Sequence, residues 1–124
     1  MEIEVSNGDL VDKITILKIK LQRIASPQKL SNIQKEFDLL HKKMSVINMD
    51  ERSDTYQRLL EVNMKLWDIE DQIRIKESKR EFDEGFILLA RSVYVENDKR
   101  SEIKREINLQ TGSQIVEEKE YVQY

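Results

Sequence analysis

The hydrophobic positions of the chain recur at alternating spacings of three and four residues along most of its length. Side chains with these spacings lie on one side of an α-helix, as in the seam of a helical hairpin or a coiled coil. The pattern predicts a first helix over residues 7–25, with Ser6 as its N-cap. Its seam consists of Leu10, Ile14, Leu17, Leu21 and Ile24.

The same repeat predicts further helices over residues 27–47, 54–78 and 81–110. Proline loses no hydrogen bond at the first helical position, so Pro27 starts the second helix close behind the first and makes the two antiparallel neighbours. The apolar pattern fades around residues 77–80 without a glycine or proline to break it. Whether the third and fourth helices are separate therefore stays open. Gly112 suits the left-handed conformation that ends many helices.

The two ends of the chain differ from the helical pattern. Residues 1–5 alternate apolar and charged side chains, which predicts a short extended start. The tail, residues 114–124, carries too many large apolar side chains to be left in solvent, so we expect it to dock on the helices, with residues 2–5 as one partner for pairing. These features predict a single all-α domain over residues 1–124, an antiparallel bundle of four to five helices with heptad-like seams and a docked C-terminal tail.

The composition of the chain bears on its localisation and on the partners that it could bind. Charged residues make up 36% of the 124 residues, which suits slender helices with much surface. The absence of cysteine excludes disulfides and thiolate metal sites. No apolar run approaches the roughly 18 residues of a membrane span, and no signal-peptide pattern is visible at the start, so we expect a cytoplasmic protein. A net charge of −3 disfavours nucleic-acid binding, although the basic residues Lys13, Lys18, Lys20 and Arg23 leave a local patch open.

Four stretches of the chain carry a resemblance to a known family. They are residues 5–20, 66–77, 86–100 and 116–124, which read VSNGDLVDKITILKIK, LWDIEDQIRIKE, FILLARSVYVENDKR and VEEKEYVQY. In these landmarks the chain resembles short bacterial and bacteriophage proteins classed as a domain of unknown function. The resemblance implies one compact helical domain and no particular activity.

Several charged residues lie beside apolar seam positions, where an unpaired charge would cost several kcal/mol. Among them, Arg91 lies between Ala90 and Val93, on a segment apolar enough to be buried. We therefore expect an ionic network that joins the first, third and fourth helices. A structural network that fixes helix register is the favoured interpretation, and a pocket for an anionic ligand is the alternative. The candidate ligand-binding residues are Asp12, Lys13, Glu70, Arg74, Arg91 and Asp98.

Two enzymatic interpretations rest on looser patterns. The pairs Asp68/Asp71 and Glu81/Glu84 resemble, imperfectly, the acidic magnesium cage of all-helical nucleotide pyrophosphatases. The basic residues on the helices also allow a fold-level analogy with helical chorismate mutase, without that enzyme's motif. The chain has one histidine, His41, and a lone histidine is a poor candidate for catalysis or metal binding. We therefore predict no catalytic residue, no metal ligand and no cofactor.

The favoured function follows from an excess of apolar side chains. Val11, Ile16, Ile19, Leu60, Met64 and Ile75 widen the apolar faces beyond what one small bundle covers. Uncovered apolar faces generally bind a partner. The sequence predicts a non-enzymatic helical interaction or assembly module that forms homo-oligomers or binds a protein partner. The alternative is a small-molecule or phosphate-ligand binding protein, or a metal-dependent nucleotide hydrolase, that uses the polar cluster.

Overall fold

The computed structural model describes residues 3–124 and contains four α-helices in that range. They are α1 (Asn7–Arg23), α2 (Pro27–Val46), α3 (Asp54–Ser78) and α4 (Glu84–Thr111). Within the described residues there is no β-strand. The predicted all-α helical bundle is thus confirmed, with four helices. The extended start lies partly outside the described residues, and residues 3–5 form neither helix nor strand.

The helix ends follow from local chemistry. The Oγ atoms of Ser6 and Ser26 accept hydrogen bonds from Asp9 N and Lys29 N, so a serine caps the start of both α1 and α2. α1 stops at Arg23 rather than at residue 25, because the backbone is already extended at Ile24, three residues before Pro27. Gly112 ends α4 in the left-handed conformation with φ of 65°.

A turn at residues 79–83 separates α3 from α4 and answers the question that the sequence left open. Arg80 takes the left-handed conformation there, with φ of 55°, although no glycine is present. Lys76 Nζ lies 2.9 Å from both carboxylate oxygens of Asp83, whose Oδ1 also accepts a hydrogen bond from Phe86 N. These contacts stabilise the reversal of the chain, although the turn contains no glycine. α4 therefore begins at Glu84 and not at residue 81, because Asp83 is its N-cap.

α1 is the central helix, since it packs against each of the other three. α3 and α4 form an antiparallel hairpin beside it, whereas α2 packs among the helices on α1 alone. The buried core lies where α1 meets the α3–α4 hairpin and the loop after α2. It comprises Val11, Ile14, Met44, Met49, Tyr56, Leu59, Val62, Ile103 and Ile107.

The backbones of α1 and α4 lie close together at Gly8. A Cβ atom added there would lie only 2.4 Å from the carbonyl oxygen of Lys104. Gly8 N also donates a 2.6 Å hydrogen bond to Oδ1 of the buried Asn108. Asn7 N donates to Ser113 Oγ at 3.0 Å. The first backbone N–H groups of α1 are thus satisfied by α4 and the residues after it.

The C-terminal tail lies along α4 through its charged and aromatic side chains. Glu118 pairs with Arg105, and the rings of Tyr124 and Tyr94 lie 4.8 Å apart between centroids. Glu117 lies beside Asp9, and the hydrogen bond and negative charge of Asp9 raise the pKa of Glu117. Tyr121 and Val122 stay exposed. No backbone hydrogen bond joins the tail to residues 3–5, so pairing with the start of the chain is not seen in the described residues.

Candidate functional site

One of the six predicted site residues, Asp12, is buried in a polar network between three helices. Its carboxylate accepts hydrogen bonds from Arg100 Nε at 2.9 Å, from Arg100 Nη2 at 2.5 Å and from Asn63 Nδ2 at 2.9 Å. Asn63 Nδ2 also donates to Thr15 Oγ1 at 2.9 Å. The hydrogen bonds and charge of Asp12 raise the pKa of Arg100, against the opposing effect of burial. This network joins α1, α3 and α4.

The other five predicted residues lie outside this network. Lys13 is exposed and pairs with Glu36 at 3.2 Å. Glu70 and Arg74 bind each other at 2.9 Å on the surface of α3. These side chains point into solvent because they lie beside the apolar seam and not within it.

Arg91 and Asp98 lie on α4, away from Asp12. Arg91 is exposed, which corrects the expectation that its apolar neighbours Ala90 and Val93 would bury it. Asp98 hydrogen-bonds the hydroxyl of Tyr124 and raises its pKa. The structure therefore does not gather the six residues into one pocket.

Arg100 binds Asp12 and is the residue of the network that the sequence did not predict. The seam of α4 runs through Val93, Glu96, Arg100, Ile103 and Ile107 with spacings of three and four. Two charged residues thus occupy seam positions without interrupting the register. Glu96 is buried there as well, with Oε1 3.3 Å from Lys99 Nζ and, among residues 3–124, no hydrogen-bond partner for Oε2. Continuing the repeat through charged residues would have identified both.

The polar network is suited to fixing the register of the helices. The Asp12 carboxylate accepts hydrogen bonds from Asn63 Nδ2 and from Nε and Nη2 of Arg100. The bidentate Asp12–Arg100 pair fixes both the distance and the orientation of the two side chains. A pocket of about 370 Å³ lies elsewhere, at the end of the bundle. Its lining includes Asn7, Asn48 and Ser113 and none of the six predicted residues.

The acidic pairs considered for metal binding are also dispersed. Asp68 pairs with Arg23, and Glu81 lies 3.6 Å from Lys76 Nζ. Residues 3–124 contain no group of three or more histidine, cysteine, aspartate or glutamate side chains placed to hold a metal ion. The pyrophosphatase-like cage is therefore not formed in this part of the chain.

The distal half of the α3–α4 hairpin, residues 64–95, extends beyond the core, against which it packs through Leu66. Buried positions of α3 end at Asn63, and those of α4 begin at Glu96, so no residue of this distal hairpin is buried. α1 has 17 residues whereas α3 and α4 have 25 and 28, so the hairpin is longer than the helix that covers it. The distal hairpin exposes the apolar side chains of Ile75, Phe82, Ile87, Leu88 and Tyr94.

The distal hairpin is the candidate functional site, because it concentrates exposed apolar side chains in one segment. Its seam residues Leu66, Ile69, Ile73, Phe86, Leu89 and Val93 are only half-buried, because two helices cannot enclose a seam on both sides. A further pair of helices would complete a four-helix arrangement around it. None of the helices in residues 3–124 combines the length and apolar character that a membrane crossing requires.

Among the comparisons with known proteins, one gives a match, which covers almost the whole chain. No curated protein and no solved structure matched the chain. A family model described as a family of unknown function, DUF6165, matches residues 1–123. This match covers almost the whole chain and exceeds in extent the four landmark stretches. The chain belongs to the family of unknown function DUF6165.

Proposed function

We propose that the protein is a non-enzymatic assembly module that self-associates through its distal hairpin. The observation that carries the proposal is the absence of any buried residue in residues 64–95, combined with the exposed apolar side chains there. Burial of exposed apolar area stabilises a complex by about 25 cal/mol per Å². Such a concentration of it in one projecting segment favours an interaction surface.

The contrast with the polar network supports the same proposal. Around Asp12 the charged groups are paired, because the buried carboxylate accepts hydrogen bonds from both Arg100 and Asn63. In the distal hairpin the apolar side chains of Ile75, Ile87 and Leu88 stay about half exposed. Binding through apolar faces with a polar rim is the usual anatomy of protein interfaces.

Sedimentation of the purified protein over a range of concentrations tests the proposal. We expect a dimer or higher oligomer whose dissociation constant rises at least about a hundredfold in Leu88→Glu, because each protomer loses a buried leucine and gains a buried charge. Leu109→Glu is the matched control on the same helix. Leu109 is 64% exposed and Leu88 is 56% exposed, but Leu109 lies outside the distal hairpin.

The outcomes separate clearly. Association that is weakened by Leu88→Glu and unchanged by Leu109→Glu supports the distal hairpin as the interface. A wild-type protein that stays monomeric at millimolar concentration contradicts the proposal. Equal weakening in both variants would argue against residues 64–95 as the interface, because the effect would not be specific to the distal hairpin.

Small-molecule binding is a second candidate function, favoured by the pocket of about 370 Å³ at the end of the bundle. Asn7, Asn48, Thr111 and Ser113 supply polar groups there, and Glu4 adds a carboxylate. Thermal unfolding against nucleotides, sugar phosphates, aromatic carboxylates, amines and divalent metals tests this candidate. A ligand that binds only the folded state stabilises it by about 2.7 kcal/mol at a hundredfold excess over its dissociation constant. No shift with any class would argue against it.

A further inference from the structure

The outer side of α4 in the distal hairpin carries one continuous stripe. Its members are Glu84, Ile87, Leu88, Arg91 and Tyr94, which follow one another along one side of the helix. All five are exposed. They lie away from Phe86, Leu89 and Val93, which share the register of the buried seam residues Ile103 and Ile107. α4 thus has two apolar sides, and α3 covers only one of them.

The charges of this outer stripe lack partners within the described chain. Neither Glu84 nor Arg91 forms an ion pair in residues 3–124, whereas Arg74 and Lys76 on α3 both do. Glu84 and Arg91 are seven residues apart, which is two helical turns and roughly 10 Å along the axis. The midpoint between them falls between Ile87 and Leu88, the two most exposed apolar residues of the stripe.

This placement is self-complementary. When two copies of one helix pack antiparallel, a two-fold axis relates them, and each residue faces the residue at equal distance on the other side of the axis. An axis that passes between Ile87 and Leu88 sets Glu84 of each copy opposite Arg91 of the other. The same axis packs Ile87 and Leu88 of one copy against Leu88 and Ile87 of the other.

We infer that the distal hairpin binds a second copy of this chain through an antiparallel α4–α4 contact with reciprocal Glu84–Arg91 ion pairs. The inference rests on the proposed self-association and adds its orientation and register. A foreign partner would require no symmetry in the stripe, whereas a second copy requires opposite charges at equal distances from an apolar centre. The stripe meets that requirement.

Charge reversal tests the ion pairs. Arg91→Glu sets Glu84 of each copy opposite a second carboxylate in place of the guanidinium, and we expect the dissociation constant of the dimer to rise about tenfold. The double variant Glu84→Arg/Arg91→Glu restores both pairs in reversed order and should return the constant to within about threefold of wild type. Glu84→Arg alone also removes a carboxylate from the first turn of α4, so circular dichroism must show that it folds.

Cysteine cross-linking tests the orientation, since the chain has no natural cysteine. Leu88→Cys lies beside the proposed axis, where two copies of residue 88 come close enough for a disulfide. Tyr94→Cys lies far from the axis, and its two copies are separated by roughly 20 Å, beyond disulfide reach. In a parallel dimer both variants would cross-link equally. Leu109→Cys serves as the control for random collisions.

The two experiments distinguish the inference from the proposed function beneath it. Selective cross-linking at residue 88, with loss and rescue of affinity by the charge variants, supports the antiparallel contact. The inference is overturned if the dissociation constant of the dimer does not change in the charge variants, or if cross-linking through residue 94 is as efficient as through residue 88. Self-association would still stand in that case. A monomeric wild type overturns both.

Discussion

The replacement of Gly8 by alanine tests whether the contact between α1 and α4 has the geometry described above. Gly8 lies within α1, where alanine is the better helix former by up to about 1 kcal/mol. Helix propensity alone therefore predicts that the variant is more stable than wild type. The packing predicts the opposite, because the new Cβ atom would lie 2.4 Å from the carbonyl oxygen of Lys104 and 3.0 Å from Asn108 Oδ1.

The expected loss of stability follows from the lack of space for the new Cβ atom. An ordinary contact begins near 3.4 Å, so α1 must move away from the Lys104 carbonyl by about 1 Å. A backbone carbonyl cannot rotate aside as a flexible side chain can, and overpacking of this kind costs about 1–3 kcal/mol. The movement also stretches the 2.6 Å bond from Gly8 N to Asn108, which contributes about 1 kcal/mol. We expect Gly8→Ala to lower the free energy of unfolding by about 2 kcal/mol net.

Urea unfolding followed by circular dichroism measures this change, with all variants at one protein concentration because self-association would alter apparent stability. Gly85→Ala is the matched control near the start of α4. Its Cβ atom would meet only the flexible end of Lys76, at 3.0 Å, and the Asp83 carboxylate at 3.3 Å, so the change should stay within about 0.5 kcal/mol. A Gly8→Ala variant as stable as wild type would refute the close approach of the two helices.

Two further predictions concern buried polar groups. Asp12→Ala leaves the guanidinium of Arg100 without its partner and should cost about 3 kcal/mol, whereas Lys13→Ala, in an exposed pair, should cost less than about 1 kcal/mol. A double-mutant cycle of Asp12→Ala and Arg100→Ala should give a coupling of at least about 1 kcal/mol, and additive costs would contradict the network. Burial, and then the charge of Glu51, raise the pKa of Tyr56 to about 12. Tyr56 thus contributes stability that is fully present below pH 10 and is lost as pH rises toward 12, by about 2 kcal/mol. Unfolding at pH 8 to 11.5 should show this loss relative to Tyr56→Phe, and parallel curves would argue against it.

The helices were predictable because their signals are local. A repeat of three and four apolar spacings, a serine cap and a glycine stop act within a few residues, so α3 was predicted with the bounds that the structure has. The shifted ends of α1 and α4 have local causes too. The extended backbone at Ile24 and the capping role of Asp83 outweighed the apolar pattern on either side.

The partners within the site were less predictable because they depend on how helices lie against one another. Asp12 was a reasonable candidate, but its partner Arg100 is 88 residues away and occupies a seam position normally apolar. The apolar neighbours of Arg91 indicated burial, yet α3 is on the other side of the helix. Nothing in the sequence marks Gly8 as a contact with a backbone carbonyl.

The unequal lengths of the helices connect these observations to function. α1 spans roughly 25 Å and α4 roughly 42 Å, at 1.5 Å per residue, so a single α1 can enclose only part of the hairpin. Where α1 is present, the seam of α4 accepts Glu96 and Arg100, and the buried carboxylate of Asp12 on α1 compensates the charge of the arginine. Where α1 is absent, both sides of α4 are rich in apolar residues that no helix of the described chain buries. A hairpin that served only to close the fold could end at the level of Glu96, so the extra turns support the surface that we propose for binding another copy of the chain.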